Sequence, residues 1–239
     1  MRLLSISICF LAALFVSCGG GGGSKTATPT AIETISPQAQ ETAEASIPDP
    51  FASLNSYDYD FKVLADGQLQ VEVNGAIQSP DRVEADFLVA GSSTPIESVI
   101  MIGSQAWIKD ASTDNQWITT DLGTAETILT GARPKDIWDL LPSDQLTSQA
   151  NDLGEENVNG VASHHLQVSR LSSNALSVLG AFFGISAASG TVDLWQADNG
   201  GWPAKAQIKV TFVSGESVSS AEADWDVSNV NTASVQPPQ

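Results

Sequence analysis

Two histidines stand side by side at positions 164 and 165, and the chain of 239 residues contains no others. Imidazole is the side chain suited to proton transfer near neutral pH and to holding a transition metal. On a strand, however, neighbours point to opposite faces, so one histidine turns to the interior or rim and the other to solvent. The pair therefore lacks the shared face that a metal needs, and no other His or free Cys completes a zinc site. Nucleophilic chemistry finds no support either. No G-x-S-x-G elbow occurs, and one histidine among many serines does not make a triad. Asp110, Asp114 and Asp198 fall in loops and offer oxygen ligands, but the calcium-loop spacing and its closing Glu are missing. The six tryptophans are scattered singly, as packing anchors are. The residues thus predict no enzyme, no catalytic group, no metal and no cofactor.

Cys18 carries chemistry of another kind. Residues 1–17 read Arg2, an apolar run from Leu3 to Val16, then Ser17. This is the layout of a secretory leader, and the run is too short for the ~20 apolar residues that cross a bilayer. Phe15-Val16-Ser17-Cys18 resembles a bacterial lipobox, with Phe15 where Leu is usual. That resemblance implies cleavage before Cys18 and diacylation of its thiol, a two-chain anchor of the kind stable attachment requires. Residues 18–50 follow as Gly, Ser, Thr, Ala, Pro, Gln and Glu with almost no large apolar side chain. Such a stretch cannot offset its ordering entropy by burial, so it is expected to be a disordered tether.

Charge narrows the partners. Removal of the leader leaves nine Lys and Arg against 28 Asp and Glu, a formal charge of −19. Nucleic acid is excluded as a partner, because its affinity comes largely from phosphate neutralisation. An anionic membrane surface would repel the domain, which leaves the acyl anchor as the means of attachment. The cysteines are Cys9 in the leader and Cys18, so the exported domain folds as a monomer without a disulfide. Its expected location is the outer face of the bacterial cell membrane.

The elements that follow are mostly strands. Tyr57, Tyr59, Phe61 and Val63 alternate with Asp58, Asp60 and Lys62, and Asp66-Gly67 turns the chain into Leu69, Val71 and Val73. Val83, Ala85, Phe87 and Val89 oppose Glu84, Asp86 and Leu88. Strands are also expected at 96–102, 105–110, 116–120, 155–158, 161–170, 190–196 and 203–213, with Ser214-Gly215 turning into a last strand through Val227. The period changes to helical at 124–130, with Asp121 or Thr124 as cap, at 134–141 and at 143–151. Residues 173–185 form a further apolar helix. The fold class is α+β, mainly β: a strongly curved antiparallel half-barrel of about eleven strands with helices covering its concave face. The domain spans 51–228, with 229–239 as a polar tail.

The order of elements, with SPDRV at 79–83, VIMIGSQAWIKD at 99–110, GVASHHLQV at 160–168 and TVDLWQADNGGWPAKAQIKV at 191–210, resembles the LppX/LprG/LprA lipoproteins of the LolA/LolB-like fold. The resemblance implies a half-barrel with an apolar cavity that binds or carries an acylated lipid or glycolipid across the cell envelope. If the sheet curls with its apolar side inward, Phe61, Val71, Phe87, Ile100, Ile208, Phe212 and Trp225 line that cavity. Leu176, Leu179, Phe182 and Phe183 of the 173–185 helix then cover it. The small inward residues Ala204, Ala206, Ala221 and Ala223 leave room either for the helix or for a ligand. The alternative function is an envelope interaction or sensor module, whose half-barrel is filled by its own side chains and whose acidic rim meets a protein partner.

Overall fold

A computed structural model describes residues 49–214 and 217–238, within the unit Pro48–Gln239. The leader, Cys18 and nearly all of the tether lie outside the described residues, as does Gly215 of the expected turn.

Alternating side chains build eleven strands into one antiparallel sheet that is not closed. They are β1 (Ser56–Ala65), β2 (Gln68–Gln78), β3 (Arg82–Val89), β4 (Glu97–Ile102), β5 (Gln105–Asp110), β6 (Ile118–Thr120), β7 (Asn151–Val158), β8 (Val161–Val168), β9 (Ser189–Ala197), β10 (Pro203–Ser214) and β11 (Ser217–Ser228). The order across the sheet is β6-β5-β4-β3-β2-β1-β11-β10-β9-β8-β7. The first and last strands thus pair at the centre, and the chain works outward to β6 and inward again from β7. Tight turns hold these steps: Asp66 and Gly67 take φ of 49° and 74°, and Asn159 and Gly160 take 51° and 83°. Both pairs have the left-handed backbone that two-residue hairpin turns require.

Because β6 and β7 occupy opposite edges, the segment between them must cross one face, and it does so as helices. α1 (Leu122–Leu129) packs on β4 and β5, and α3 (Ser143–Ser148) on β8, with α2 (Pro134–Trp138) between them. Asp121 is the cap of α1, its carboxylate accepting from the Thr124 amide at 2.9 Å. α4 (Ser173–Phe183) starts at Ser172, whose hydroxyl accepts from the Ala175 amide, and stops at Gly184 with φ 68°. α4 packs on β10. The side of the sheet under the helices is called the inner face here. No helix among the described residues is long and apolar enough to cross a membrane.

Register assigns each strand residue to a face. Tyr59 pairs Val227, Phe61 pairs Trp225 and Val63 pairs Ala223. Beyond β11, Trp225 pairs Ala206 and Ala223 pairs Ile208. All belong to the inner core with Leu129, Ile137, Leu179 and Phe183 from the helices.

Two expectations are corrected. Ile100 does not share a face with Phe61, Val71 and Phe87. It pairs Glu84 on β3 and Trp107 on β5, which point outward, while its neighbour Val99 pairs Ala85 and takes the inward place. Ile100 belongs instead to a small outer cluster with Ala76 and Val235. The tail is also more than a polar end. Val235 is wholly buried on the outer face, where Arg82 donates to its carbonyl at 3.1 Å and its amide donates to Gln78 at 3.2 Å.

Candidate functional site: inner face and two histidine clusters

Ten of the eleven residues expected to line or cover a cavity do meet on the inner face, Ile100 being the exception. They divide by burial. Phe61, Leu179, Phe183, Ile208 and Trp225 are buried, with Leu179, Ile208 and Trp225 at 0% exposure. Val71, Phe87, Leu176, Phe182 and Phe212 are only partly buried around them. The small positions are closed as well: Ala204, Ala206 and Ala223 are at 0% exposure. A side chain that no water can touch has protein atoms on every side, so the centre of this face is a filled core. Two polar atoms sit inside it without a hydrogen-bond partner, the Tyr59 hydroxyl and the Trp225 indole Nε1. Burial raises the Tyr59 hydroxyl well above the usual tyrosine range. Its ring lies across Gly75, where a Cβ would stand 2.4 Å from Cζ. That close approach explains a glycine in the middle of β2.

The outer face is charged. Two shallow depressions lie on it, one of about 360 Å³ bordered by Asp58, Asp60, Glu84, Asp86 and Asp226. The other, of about 170 Å³, lies beside it and is bordered by Glu84, Lys109 and Trp117. Desolvation, then Asp86 and Asp58, raise the Glu84 carboxyl above its ordinary value.

The histidines fall on opposite faces, as alternation requires, and each meets carboxylates. His165 is on the outer face. Its Nδ1 is 3.0 Å from Glu156 Oε1 and its Nε2 is 2.9 Å from Asp193 Oδ1. The ring stacks on Trp195 with centroids 4.2 Å apart. Trp195 Nε1 donates to the second Glu156 oxygen at 2.8 Å, and Gln167 donates to Asp193 at 2.7 Å. Both ring nitrogens therefore face carboxylate oxygens. Donation from Trp195 and His165 holds the Glu156 carboxyl below its ordinary value. Both His165 nitrogens and both Glu156 oxygens are engaged, and the cluster forms a structural brace.

His164 is more open. Asp152 Oδ2 lies 3.2 Å from Nδ1 and Asp198 Oδ1 lies 3.7 Å from Nε2, and Glu155, His164 and Asp198 form a group whose ligand atoms are within 4.8 Å of one another. The sequence reading missed this group, although a signal for it existed. A hairpin turned at Asn159-Gly160 necessarily sets residue 155 opposite residue 164, and it does. Asp110 and Asp114 do not join it. Asp110 is spent capping the 3-10 turn Ala111–Thr113, and Asp114 follows that turn in a left-handed conformation.

No family model matches this chain, and no curated protein does. Among solved structures it is similar to a chain of the Pseudomonas aeruginosa MucA/MucB complex, at 12% identity over 79% of this chain and 56% of that one, with a TM-score of 0.35. It is similar to a chain of MucB in complex with MucA(peri), at 14% identity over 77% and 52%, with a TM-score of 0.31. A DUF1329 family protein from Desulfovibrio piger matches at 10% identity over 76% and 87%, with a TM-score of 0.29. The chain spans about half the length of the chains it matches in the two MucB complexes. These likenesses are too slight to carry function.

Proposed function

We propose that this chain is an exported, lipid-anchored and non-catalytic interaction module of the bacterial cell envelope, built on a half-barrel filled by its own side chains. The observation behind this reading is the water-free centre of the inner face, where Ala206, Ile208, Ala223 and Trp225 are all at 0% exposure. A face packed in this way leaves the outer surface for recognition. With its charge of −19 after removal of the leader, that surface would steer a basic envelope partner towards it. Cys18 supplies the anchor, and Cys18→Ala should leave the protein unprocessed or free of the membrane. Retention of both processing and membrane association would overturn the anchor.

A second reading, carriage of an acylated lipid or glycolipid, follows from the resemblance to the LppX-type lipoproteins. One structural observation favours it: the unpaired Tyr59 hydroxyl and Trp225 indole, buried polar groups of a kind that usually have a partner. The partly exposed apolar margin at Val71, Phe87, Leu176, Phe182 and Phe212 is where an acyl chain would enter.

Native mass spectrometry of the protein purified from its own host separates the two, combined with Ala206→Phe. For the interaction module, no lipid mass accompanies the chain, and the added ring costs about 1–3 kcal/mol of stability. A stoichiometric lipid mass that Ala206→Phe abolishes without loss of stability would establish the carrier and overturn the module.

A further inference from the structure

The β7–β8 hairpin and the β9–β10 turn bring three side chains of complementary chemistry to one point. The hairpin sets Glu155 beside His164, and the register shift between Asp152 and Gly154 sets Asp152 opposite Leu166, on the same face as both. Asp198 begins the β9–β10 turn and is pinned to β8 by its amide, which donates to the Ala162 carbonyl at 3.0 Å. The two elements are therefore fixed relative to each other by backbone hydrogen bonds.

The separation of His164 and Asp198 is that of two ligands and not of direct partners. The 3.7 Å between His164 Nε2 and Asp198 Oδ1 is too long for a hydrogen bond. Two metal bonds of about 2.0–2.1 Å meeting at a tetrahedral angle place their donor atoms roughly 3.4 Å apart. On the other side of the ring, Asp152 Oδ2 stands 3.2 Å from the buried Nδ1, close enough for charge attraction but not aligned as a hydrogen bond. Its Oδ1 is taken by the Gly154 amide at 2.9 Å. A carboxylate at Nδ1 favours the tautomer with its proton there, which leaves the Nε2 lone pair towards Asp198. Among the described residues, the lysine and arginine ion pairs all lie elsewhere, so His164 is the only basic side chain paired with Asp152 and Asp198.

We propose that Glu155, His164 and Asp198 bind one divalent first-row transition ion of the zinc or cobalt type, with Asp152 orienting the imidazole. One nitrogen and two carboxylate ligands suit such an ion better than calcium or magnesium, which take oxygen. The remaining positions are open to solvent, since Glu155 and Asp198 are exposed. The ion would tie the edge hairpin to the neighbouring turn. His165 is the internal control, because both of its nitrogens already have partners.

The test is calorimetric titration of the full-length protein in detergent with Zn²⁺ alone, alongside the visible absorption of added Co²⁺. One Zn²⁺ per chain is expected. Affinity should fall at least tenfold in His164→Ala and in Asp198→Asn, about tenfold in Asp152→Asn, and not at all in His165→Ala. Asp198→Asn changes an exposed turn residue, so it keeps the test valid if a histidine variant fails to fold. Absence of Zn²⁺ binding by the wild type would overturn the site. So would wild-type affinity in folded His164→Ala or in Asp198→Asn.

Discussion

The two faces of the sheet differ most plainly along β11, where the same strand serves both. Ala221, Ala223, Trp225 and Val227 point inward and are buried, three of them at 0% exposure. Glu222, Asp224 and Asp226 alternate with them and point outward among lysines. The inner face is held by packing, where each methylene is worth about 0.8 kcal/mol. The outer face is held by pairs such as Lys62 with Asp60 at 2.7 Å and Lys209 with Glu222 at 3.5 Å, which are worth about 0–1 kcal/mol each. Stability is thus concentrated on one side, and the other side is free to vary or to bind.

Substitutions should reproduce that asymmetry. Ile208→Ala removes a wholly buried side chain against Ala223 and Val192. It should cost about 2–5 kcal/mol in denaturant unfolding, because the filled surroundings cannot collapse into the space. A loss below 1 kcal/mol would mean that the inner centre is not a rigid core. Val235→Ala tests a place where the outer face is packed like the inner one. Two buried carbons should cost about 1–2 kcal/mol. No loss would show that the tail adds nothing to the domain. Lys62→Met, on the open outer face, should change stability by no more than about 1 kcal/mol, and less in high salt.

The same contrast explains what could be read from residues alone. Where one face is dry and the other wet, as in β1, β3, β10 and β11, alternation identifies both the strand and its inward side. β4 breaks the rule because Val99, Ile100, Met101 and Ile102 are apolar without alternation. α1 packs on its inner side, while Val235 with Trp107 and Trp117 covers its outer side. With both faces dry, the pattern no longer assigns them, and Ile100 is placed on the wrong one. Val235 was invisible for a related reason, since a single apolar residue in a polar tail has no period. The filling of the core at Ala206 and Ala223 depends on which helix side chains arrive there, and strand pattern does not contain that. The Glu155–His164–Asp198 group lay between these cases. Hairpin register gives its first two members, and only the three-dimensional path of the β9–β10 turn gives the third.

Asp224 offers the finest test, because it is the outer-face residue that behaves most like an inner one. Its Oδ1 is buried without a hydrogen-bond partner. Lys62, its register neighbour on β1, reaches Asp60 instead. Desolvation, and then the Glu222 charge, push the Asp224 carboxyl from its ordinary 3.8 to about 6. A carboxyl whose folded value is raised binds more protons in the native than in the unfolded state between those limits. Its contribution is therefore present in full below about 3.8 and is lost as pH rises through about 6. Asp224→Asn cannot ionise, so it should unfold at a higher midpoint than the wild type at pH 7. The difference should shrink steadily towards pH 4. The side chain is partly exposed, so solvent screening keeps the gain below that expected of a buried charge. A variant that is less stable than the wild type at pH 7, or a difference that does not vary with pH, would show that Lys205 and Lys62 already neutralise Asp224. The outer face would then be uniformly a surface of paired charges.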